Sequence, residues 1–223
     1  MNQPQEKMRV YRYRLRFAKS PAGSPSESGF LTGQAALKKA FLEFLPLART
    51  GKRHKFSFGP ALPHDYYSEC EYADVWLSER IEVKSLAEVF SRLSGGFKFI
   101  KAESLPLFFP SVEAVDTTEE YEIFTAALSE GQKQAFAVNV KVSPLLICWK
   151  GPSGEKKEAD ISQWIEKAYL KDDGAIIFLK RIKGKSVRPE LVIKGLAGLE
   201  VEIKKIVKKN IFWTDSTGRL NEI

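Results

Sequence analysis

The stretch RVYRYRLRF, residues 9–17, alternates from Tyr11 onward between apolar or aromatic side chains and arginines. A period of two is typical of a β-strand with one buried face, because successive side chains point to opposite sides. One face carries Tyr11, Tyr13, Leu15 and Phe17, and the other carries Arg12, Arg14 and Arg16. The stretch therefore predicts a first strand whose apolar face meets a core and whose arginines point the other way.

Outward from this strand, the chain predicts a helix, two strands, a second helix and a fourth strand. A loop rich in Ser, Pro and Gly, residues 20–29, precedes the first helix, and Pro46 ends that helix. The predicted elements are helix 32–45, strands 53–59 and 71–77, helix 85–93 and strand 97–105. The order β-α-β-β-α-β is the ferredoxin-like pattern.

The second half of the chain repeats this pattern after a connection at residues 106–118. An acidic run, residues 116–122, is expected to be part of a solvated connector. The predicted elements are strand 119–128, a weakly helical stretch, strands 145–150, 156–161 and 174–182, helix 188–198 and strand 199–213. The sequence thus predicts an α+β fold of two tandem ferredoxin-like domains with antiparallel sheets, residues 1–110 and 111–223.

The composition limits the class of protein. The chain has 223 residues, of which 43% are hydrophobic, enough for a sizeable core, and this excludes a collagen, a mucin and a wholly disordered chain. The sequence contains no apolar run of about 18 residues, the length that a transmembrane helix needs. The first residues also lack the apolar segment of a secretory signal. We therefore expect a cytoplasmic protein with no membrane partner.

Cysteine and histidine are scarce, with two residues of each kind. Two thiols cannot by themselves hold a zinc ion, and few histidines lower the expectation of hydrolytic or metal chemistry. Neither a metal nor another cofactor is predicted. The net charge of +7 favours a polyanionic partner such as nucleic acid.

The first candidate site is the arginine face of the first strand. If helices cover the apolar face, Arg12, Arg14 and Arg16 line an open sheet surface. The expected neighbouring strand adds Tyr72 and Trp76 to that surface. Guanidinium groups beside aromatic rings suit single-stranded RNA, because arginines contact phosphates and rings stack on bases.

Two further cationic stretches predict phosphate contacts. The first places Lys52, Arg53 and His54 at the start of a predicted strand. In the second, five cations surround Gly184 before the predicted helix 188–198: Lys180, Arg181, Lys183, Lys185 and Arg188. A glycine lets the backbone approach a ligand closely, and a helix N-terminus favours anions.

A structural alternative stays open for each cationic cluster. The arginines then pair across strands with carboxylates of the neighbouring strand, which are Glu69, Glu71 and Asp74. The two aromatic rings of that strand pack under the second domain. The Lys52 stretch becomes a charged edge strand that resists aggregation, and the Gly184 cluster becomes a solvated hairpin tip.

Several segments together resemble one bacterial family. The most specific are FSFGPALP at 56–63 and EYADV at 71–75, and YRLRFAK at 13–19 and KSVRPELV at 185–192 also fit. Their order and spacing resemble those of the radical-SAM-linked proteins, which carry a domain of unknown function numbered 2344. The resemblance implies a radical-SAM enzyme as partner, since such proteins are usually encoded beside one or fused to it. It also implies a role in RNA modification or ribosome biology.

The chain departs from that family's pattern at two places. The family usually has Ser-His-Leu-Asp at the start of the first helix, where Thr32-Gly33-Gln34-Ala35 stand here. It usually has Asn-Pro-His-Pro before the second strand, where residues 50–55 form a shorter connector with His54 as the one possible counterpart. The resemblance therefore implies a divergent member with a purely binding role.

These observations together predict a non-catalytic RNA-binding or adaptor protein that acts with a radical-SAM enzyme. No catalytic residue is assigned. Two alternatives stay open. One is a metal-independent ribonuclease with His54 as general base, and the other is a protein-interaction module whose basic patches meet an acidic partner without RNA.

Overall fold

The computed structural model describes residues 9–21, 33–60, 63, 65–93, 96–150, 153–214, 217 and 219–223. The chain divides into two compact units, Met1–Val115 and Asp116–Ile223, and each is described by itself. Both units combine helices with mostly antiparallel strands, so the fold is mixed α/β, with four α-helices among the described residues. No helix in this part of the chain is long and apolar enough to cross a membrane.

The first unit has the strands and helices in the predicted order along the chain. Its elements are β1 (Tyr11–Lys19), α1 (Gly33–Phe44), β2 (Arg49–Thr50), β3 (Arg53–His54), β4 (Phe56–Phe58), β5 (Tyr67–Leu77), α2 (Val83–Ser91), β6 (Phe97–Leu105) and a 3-10 turn (Val112–Ala114). The order across its sheet is β4–β5–β1–β6, and these pairs are antiparallel. The predicted strand 53–59 is divided, because β2 and β3 form a separate hairpin.

The alternation of β1 builds the core of the first unit. Tyr13, Leu15 and Phe17 are at most 5% exposed and belong to one apolar cluster with residues of α1 and α2. The rings of Phe17 and Phe90 on α2 lie 5.2 Å apart. Burying each such side chain contributes roughly 1.5–3 kcal/mol. The apolar face of β1 therefore holds the helices on one side of the sheet.

The second unit contains one strand more than the sequence predicts before the last helix. Its elements are β7 (Thr117–Thr125), α3 (Glu130–Asn139), β8 (Leu146–Lys150), β9 (Lys156–Asp160), a 3-10 turn (Ser162–Trp164), β10 (Ile165–Lys171), β11 (Gly174–Arg181), α4 (Pro189–Ala197), β12 (Ile203–Thr214) and β13 (Leu220–Glu222). The order across the sheet is β10–β11–β7–β12–β13, with antiparallel pairs, and β8 and β9 form a separate hairpin. The extra strand is β10, whose charged residues obscure its alternation.

The acidic run at 116–122 corrects one expectation. Most of it lies in β7, between β11 and β12 at the centre of the sheet, and is not a solvated connector. Glu119 is 1% exposed and Glu122 is 9% exposed on this central strand. A buried carboxylate such as that of Glu119 therefore needs hydrogen-bond or ionic partners inside the protein.

Candidate nucleic-acid interface

The arginines of β1 are buried with an aspartate of β5. Arg12 is 1% exposed, Arg14 is 7% exposed and Asp74 is fully buried. Arg14 Nε lies 2.8 Å from Asp74 Oδ1, and its Nη2 lies 3.0 Å from Oδ2. Arg12 Nη2 also donates to Oδ2, at 2.7 Å. These three residues are called the arginine cluster below.

The register of the two strands explains the arginine cluster. β1 and β5 are antiparallel, and Arg14 stands opposite Asp74. Side chains of directly opposite residues share one face of a sheet. Arg12 stands one step along that face, opposite Trp76, and reaches Asp74 diagonally. The pairing with Asp74, which the sequence left open as the structural alternative, is thus present.

The segment after β6 is bound over the arginine cluster. Arg12 donates to the carbonyls of Phe109 and Pro110, and Arg14 Nη2 donates to Pro110 O at 3.1 Å. The backbone N–H of Val112 donates to Asp74 Oδ2 at 3.0 Å. The expected open surface is therefore closed at Arg12 and Arg14, because their guanidinium groups bind backbone carbonyls of their own unit.

The two aromatic residues of β5 are also buried, with Tyr72 at 2% and Trp76 at 5% exposure. The Arg12 Cζ atom lies 4.6 Å from the Trp76 ring centroid, and Lys55 Nζ lies 4.5 Å from it. Arg16, which is partly buried, has its Cζ 6.0 Å from the Tyr72 ring. Cations of the protein thus occupy the ring faces that the sequence predicted to stack on nucleobases.

The cations of the β2–β3 hairpin lie at the surface. Thr50 pairs with Arg53 and Arg49 with His54. The connecting turn contains Gly51 in the left-handed region, with φ +61°. Lys52 and Arg53 are exposed, while His54 is partly buried. The hairpin therefore presents a small group of cations at its tip.

A second cationic turn connects β11 to α4. Ile182 and Lys185 exchange two backbone hydrogen bonds, of 2.9 and 3.0 Å. Lys183 and Gly184 between them have φ of +51° and +74°. Two consecutive residues with positive φ indicate a type I′ turn. Residues 182–185 are called the lysine turn below.

Polar contacts to neighbouring residues hold the lysine turn in place. Asp116 Oδ1 accepts from the backbone N–H of Lys183 at 2.8 Å, and Arg181 Nη1 donates to Gly184 O at 2.9 Å. Ser186 Oγ donates to Lys180 O at 2.9 Å. The carboxylate of Asp116 therefore binds the turn's backbone, and the side chains of Lys183 and Lys185 are exposed.

The other cations of this cluster have carboxylate partners. Lys180 lies 2.8 Å from Glu166, and Arg188, just before α4, lies 3.5 Å from Glu190. Among the described residues, no carboxylate lies within 4 Å of the Lys183 or Lys185 ammonium group. The turn thus brings together two lysines whose charges face solvent.

Arg181 forms an ion pair with the buried carboxylate of Glu119. Arg181 Nε donates to Glu119 Oε1 at 3.0 Å, and the Tyr121 hydroxyl donates to the other carboxylate oxygen. Burial by itself raises the pKa of Glu119, but the charges of Lys208 and Arg181 and the Tyr121 hydrogen bond outweigh it. The pKa of Glu119 therefore lies below its ordinary value. Glu119 stays ionised near neutral pH and anchors the arginine that holds the turn.

The sequence did not predict that the carboxylates of Asp74, Asp116 and Glu119 hold the arginines and the lysine turn in place. The sequence leaves the pairing of Asp74 as an open alternative, and it predicts a solvated acidic connector at 116–122 that overlaps the predicted strand 119–128 at Glu119. The alternation of Glu119, Tyr121 and Ile123 with residues 118, 120 and 122 was the available signal for a buried strand face.

The family model that matches this chain is described as an uncharacterized protein conserved in bacteria (DUF2344), and the match covers residues 52–189. The chain belongs to this family. The match to DUF2344 includes Lys52, Asp74 and the lysine turn, whereas β1 lies before it. A search of curated proteins finds no match. The described part of this DUF2344 protein contains no group of three or more His, Cys, Asp or Glu side chains placed to hold a metal ion.

Proposed function

We propose that this DUF2344 protein is a non-catalytic RNA-binding or adaptor protein that contacts phosphates with the lysine turn. The observation that carries the proposal is Lys183 itself. It occupies a left-handed backbone position in a turn that Arg181 and Asp116 hold through two hydrogen bonds, with a third between the flanking residues Ser186 and Lys180. At such positions Gly and Asn are the residues without a large steric cost.

A lysine at a strained position points to a role for its side chain. Left-handed backbone costs about 1–2 kcal/mol for an ordinary residue, and such strain persists mostly at functional positions. The neighbouring Lys185 is also exposed and without a carboxylate within 4 Å among the described residues. Two ammonium groups on a preformed backbone bind phosphates with little loss of backbone entropy.

The β2–β3 hairpin offers a second phosphate contact in the first unit. Arg49, Lys52 and Arg53 are exposed, and Gly51 permits the tight turn. Because RNA affinity grows with the number of neutralised phosphates, we propose this hairpin as a separate phosphate contact of the first unit. The buried Arg12, Arg14, Tyr72 and Trp76 are left out of it.

The proposal also includes two ferredoxin-like units and a radical-SAM enzyme as the partner. Each unit has the element order strand–helix–strand–strand–helix–strand once the β2–β3 and β8–β9 hairpins and β13 are set aside. Counted along the chain, the remaining strands then stand in the sheet in the order second, third, first, fourth. This order supports two ferredoxin-like units. The resemblance to radical-SAM-linked proteins supports a radical-SAM enzyme as the partner to which RNA is presented.

The test is an RNA titration over a series of salt concentrations. The wild type is compared with a Lys183→Gln, Lys185→Gln double variant. The expected result is weaker binding, with the slope of log affinity against log salt reduced by roughly 0.7 for each lost contact to single-stranded RNA. A Lys84→Gln, Lys141→Gln variant removes the same charge from exposed lysines elsewhere, and its slope should remain that of the wild type.

Two outcomes would contradict this proposal. If the wild type binds no RNA at low salt, the cations serve another partner. If the double variant keeps the wild-type slope while the protein binds RNA, the lysine turn makes no phosphate contact.

A further inference from the structure

Three aromatic rings form a row on one face of the sheet of the second unit. Tyr169 on β10 lies 6.5 Å from Phe178 on β11, and Phe178 lies 6.1 Å from Phe212 on β12, as centroid distances. The angles between neighbouring ring planes are 31° and 26°. The rings are thus roughly parallel to one another and are called the aromatic strip below.

The aromatic strip lies on the sheet face opposite α4. Ile177 and Leu179 of β11 are fully buried, and α4 packs against this strand with Val192 and Ile193 also fully buried. Because side chains alternate along a strand, Phe178 points away from the helix. The strip therefore lies on the opposite face of the sheet from the core that α4 covers.

Two rings of the strip, those of Phe178 and Tyr169, differ in their exposure to solvent. Phe178 is 6% exposed, whereas Tyr169 is 45% exposed. The Lys167 ammonium group lies 4.0 Å from the Phe178 ring centroid and covers it. Phe178 therefore supports Lys167 and Tyr169, which are the exposed groups at this end of the strip.

The carboxylates near the strip already have partners. Glu166 pairs with Lys180 at 2.8 Å, Glu122 pairs with Lys171, and Glu120 accepts from Asn210 at 2.7 Å. Among the described residues, Lys167 has no carboxylate within 4 Å. The positive charge beside Tyr169 is therefore available to an external anion.

We propose that Tyr169 stacks on a base of single-stranded RNA while Lys167 contacts the adjoining phosphate, an inference that rests on the proposed function of the lysine turn. Phe178 on β11 lies four residues before Ile182, the start of the lysine turn, a distance of about 13 Å at 3.3–3.4 Å per residue. A short oligonucleotide spans this distance, so one strand reaches both places. The preference is for single strands because the bases of a duplex are already stacked and paired.

The test separates stacking from phosphate contact by their salt dependence. A labelled short oligouridylate is titrated into the wild type and into Tyr169→Ala over a salt series. The expected result is binding about 5- to 100-fold weaker at every salt concentration, with an unchanged slope, because stacking releases no counterions. Tyr169→Phe keeps the ring and should bind as the wild type does. Lys167→Gln should lower the slope by roughly 0.7.

Two controls test whether a loss of affinity comes from the aromatic strip itself. Phe108→Ala removes an aromatic side chain that is 88% exposed in the first unit, and it should leave affinity unchanged. Thermal unfolding of Tyr169→Ala checks that the variant is folded, and the Lys167→Gln slope tests the same site if it is not.

Different experimental results would contradict the role of the aromatic strip and the role of the lysine turn. If Tyr169→Ala and Lys167→Gln bind as the wild type does, while the Lys183, Lys185 double variant loses slope, the strip is overturned and the turn stands. Equal affinity for duplex and single-stranded RNA also overturns the strip. Absence of any wild-type binding at low salt overturns both.

Discussion

The arginine cluster in the first unit and the lysine turn in the other unit are similar in sequence but different in structure. Both are dense groups of cations, each on or beside a strand. In the cluster, a carboxylate opposite Arg14 draws two guanidinium groups into a buried network. In the turn, carboxylates bind the backbone and Arg181 and leave Lys183 and Lys185 exposed. The position of the nearest carboxylate therefore decides whether a cationic run serves the fold or faces outward.

The two regions should therefore contribute differently to the free energy of unfolding. Removing one partner of a buried ion pair leaves an uncompensated charge and costs about 3–5 kcal/mol. Exposed charges contribute roughly 0–1 kcal/mol to folding. Changes in the arginine cluster should therefore mainly alter the free energy of unfolding, and changes in the lysine turn should mainly alter RNA affinity.

The largest effect is expected for Asp74→Asn. The amide keeps the size of the side chain but leaves Arg12 and Arg14 buried without a counter-charge, so the free energy of unfolding should fall by about 3–5 kcal/mol. Urea denaturation measures the change. Glu103→Gln is the control, because its pair with Lys101 is about half exposed and its loss should cost at most about 1 kcal/mol.

If Asp74→Asn cost no more than Glu103→Gln, the buried arginines would not depend on the aspartate. The cluster would then be a consequence of burial by the segment after β6. A loss of stability with RNA affinity retained is the result that separates the two regions.

A smaller effect, which depends on pH, is expected for Glu119→Gln. The pKa of Glu119 is lowered in the folded protein, so its stabilising contribution is present above the ordinary pKa of 4.5 and is lost as pH falls through the folded value. At neutral pH the variant should be less stable by about 2–4 kcal/mol. The difference from the wild type should narrow as the pH is lowered below 4.5.

Denaturation curves at neutral and acidic pH check this prediction. Glu166→Gln serves as control, because its pair with Lys180 is about 40% exposed. A difference between Glu119→Gln and wild type that is constant with pH would mean that Glu119 contributes through shape and not through charge.

The comparison also shows how far sequence reasoning reaches. The alternation of β1 was enough to predict its buried apolar face, and the helices, the β8–β9 hairpin and the turn near Gly184 follow from local patterns. Closure over Arg12 and Arg14 could not be predicted, because it depends on backbone carbonyls of Phe109 and Pro110. Every residue has a carbonyl, so the sequence contains no sign of which ones accept.

The strand β10 shows another limit. Its residues IEKAYLK mix charges and apolar side chains on an edge strand that has one neighbour in its own sheet. Edge strands are often charged, which weakens the alternation that marks a strand. The sequence does not single out Tyr169 for the same reason, and the position of its ring beside that of Phe178 is visible only in the structure.

The smallest change in stability, and the sharpest test of the turn, is expected for Lys183→Asn. Asn tolerates the left-handed position and Asn-Gly is a favoured type I′ pair, so the variant should be more stable by about 0.5–1 kcal/mol. It also removes the proposed phosphate contact, so RNA binding should weaken and the salt slope should fall by roughly 0.7. Lys185→Asn loses the same charge from a position without positive φ, and should lose slope without gaining stability. A stabilised Lys183→Asn that binds RNA as the wild type does would show that Lys183 makes no phosphate contact, and this result would overturn the proposed RNA contact of the lysine turn.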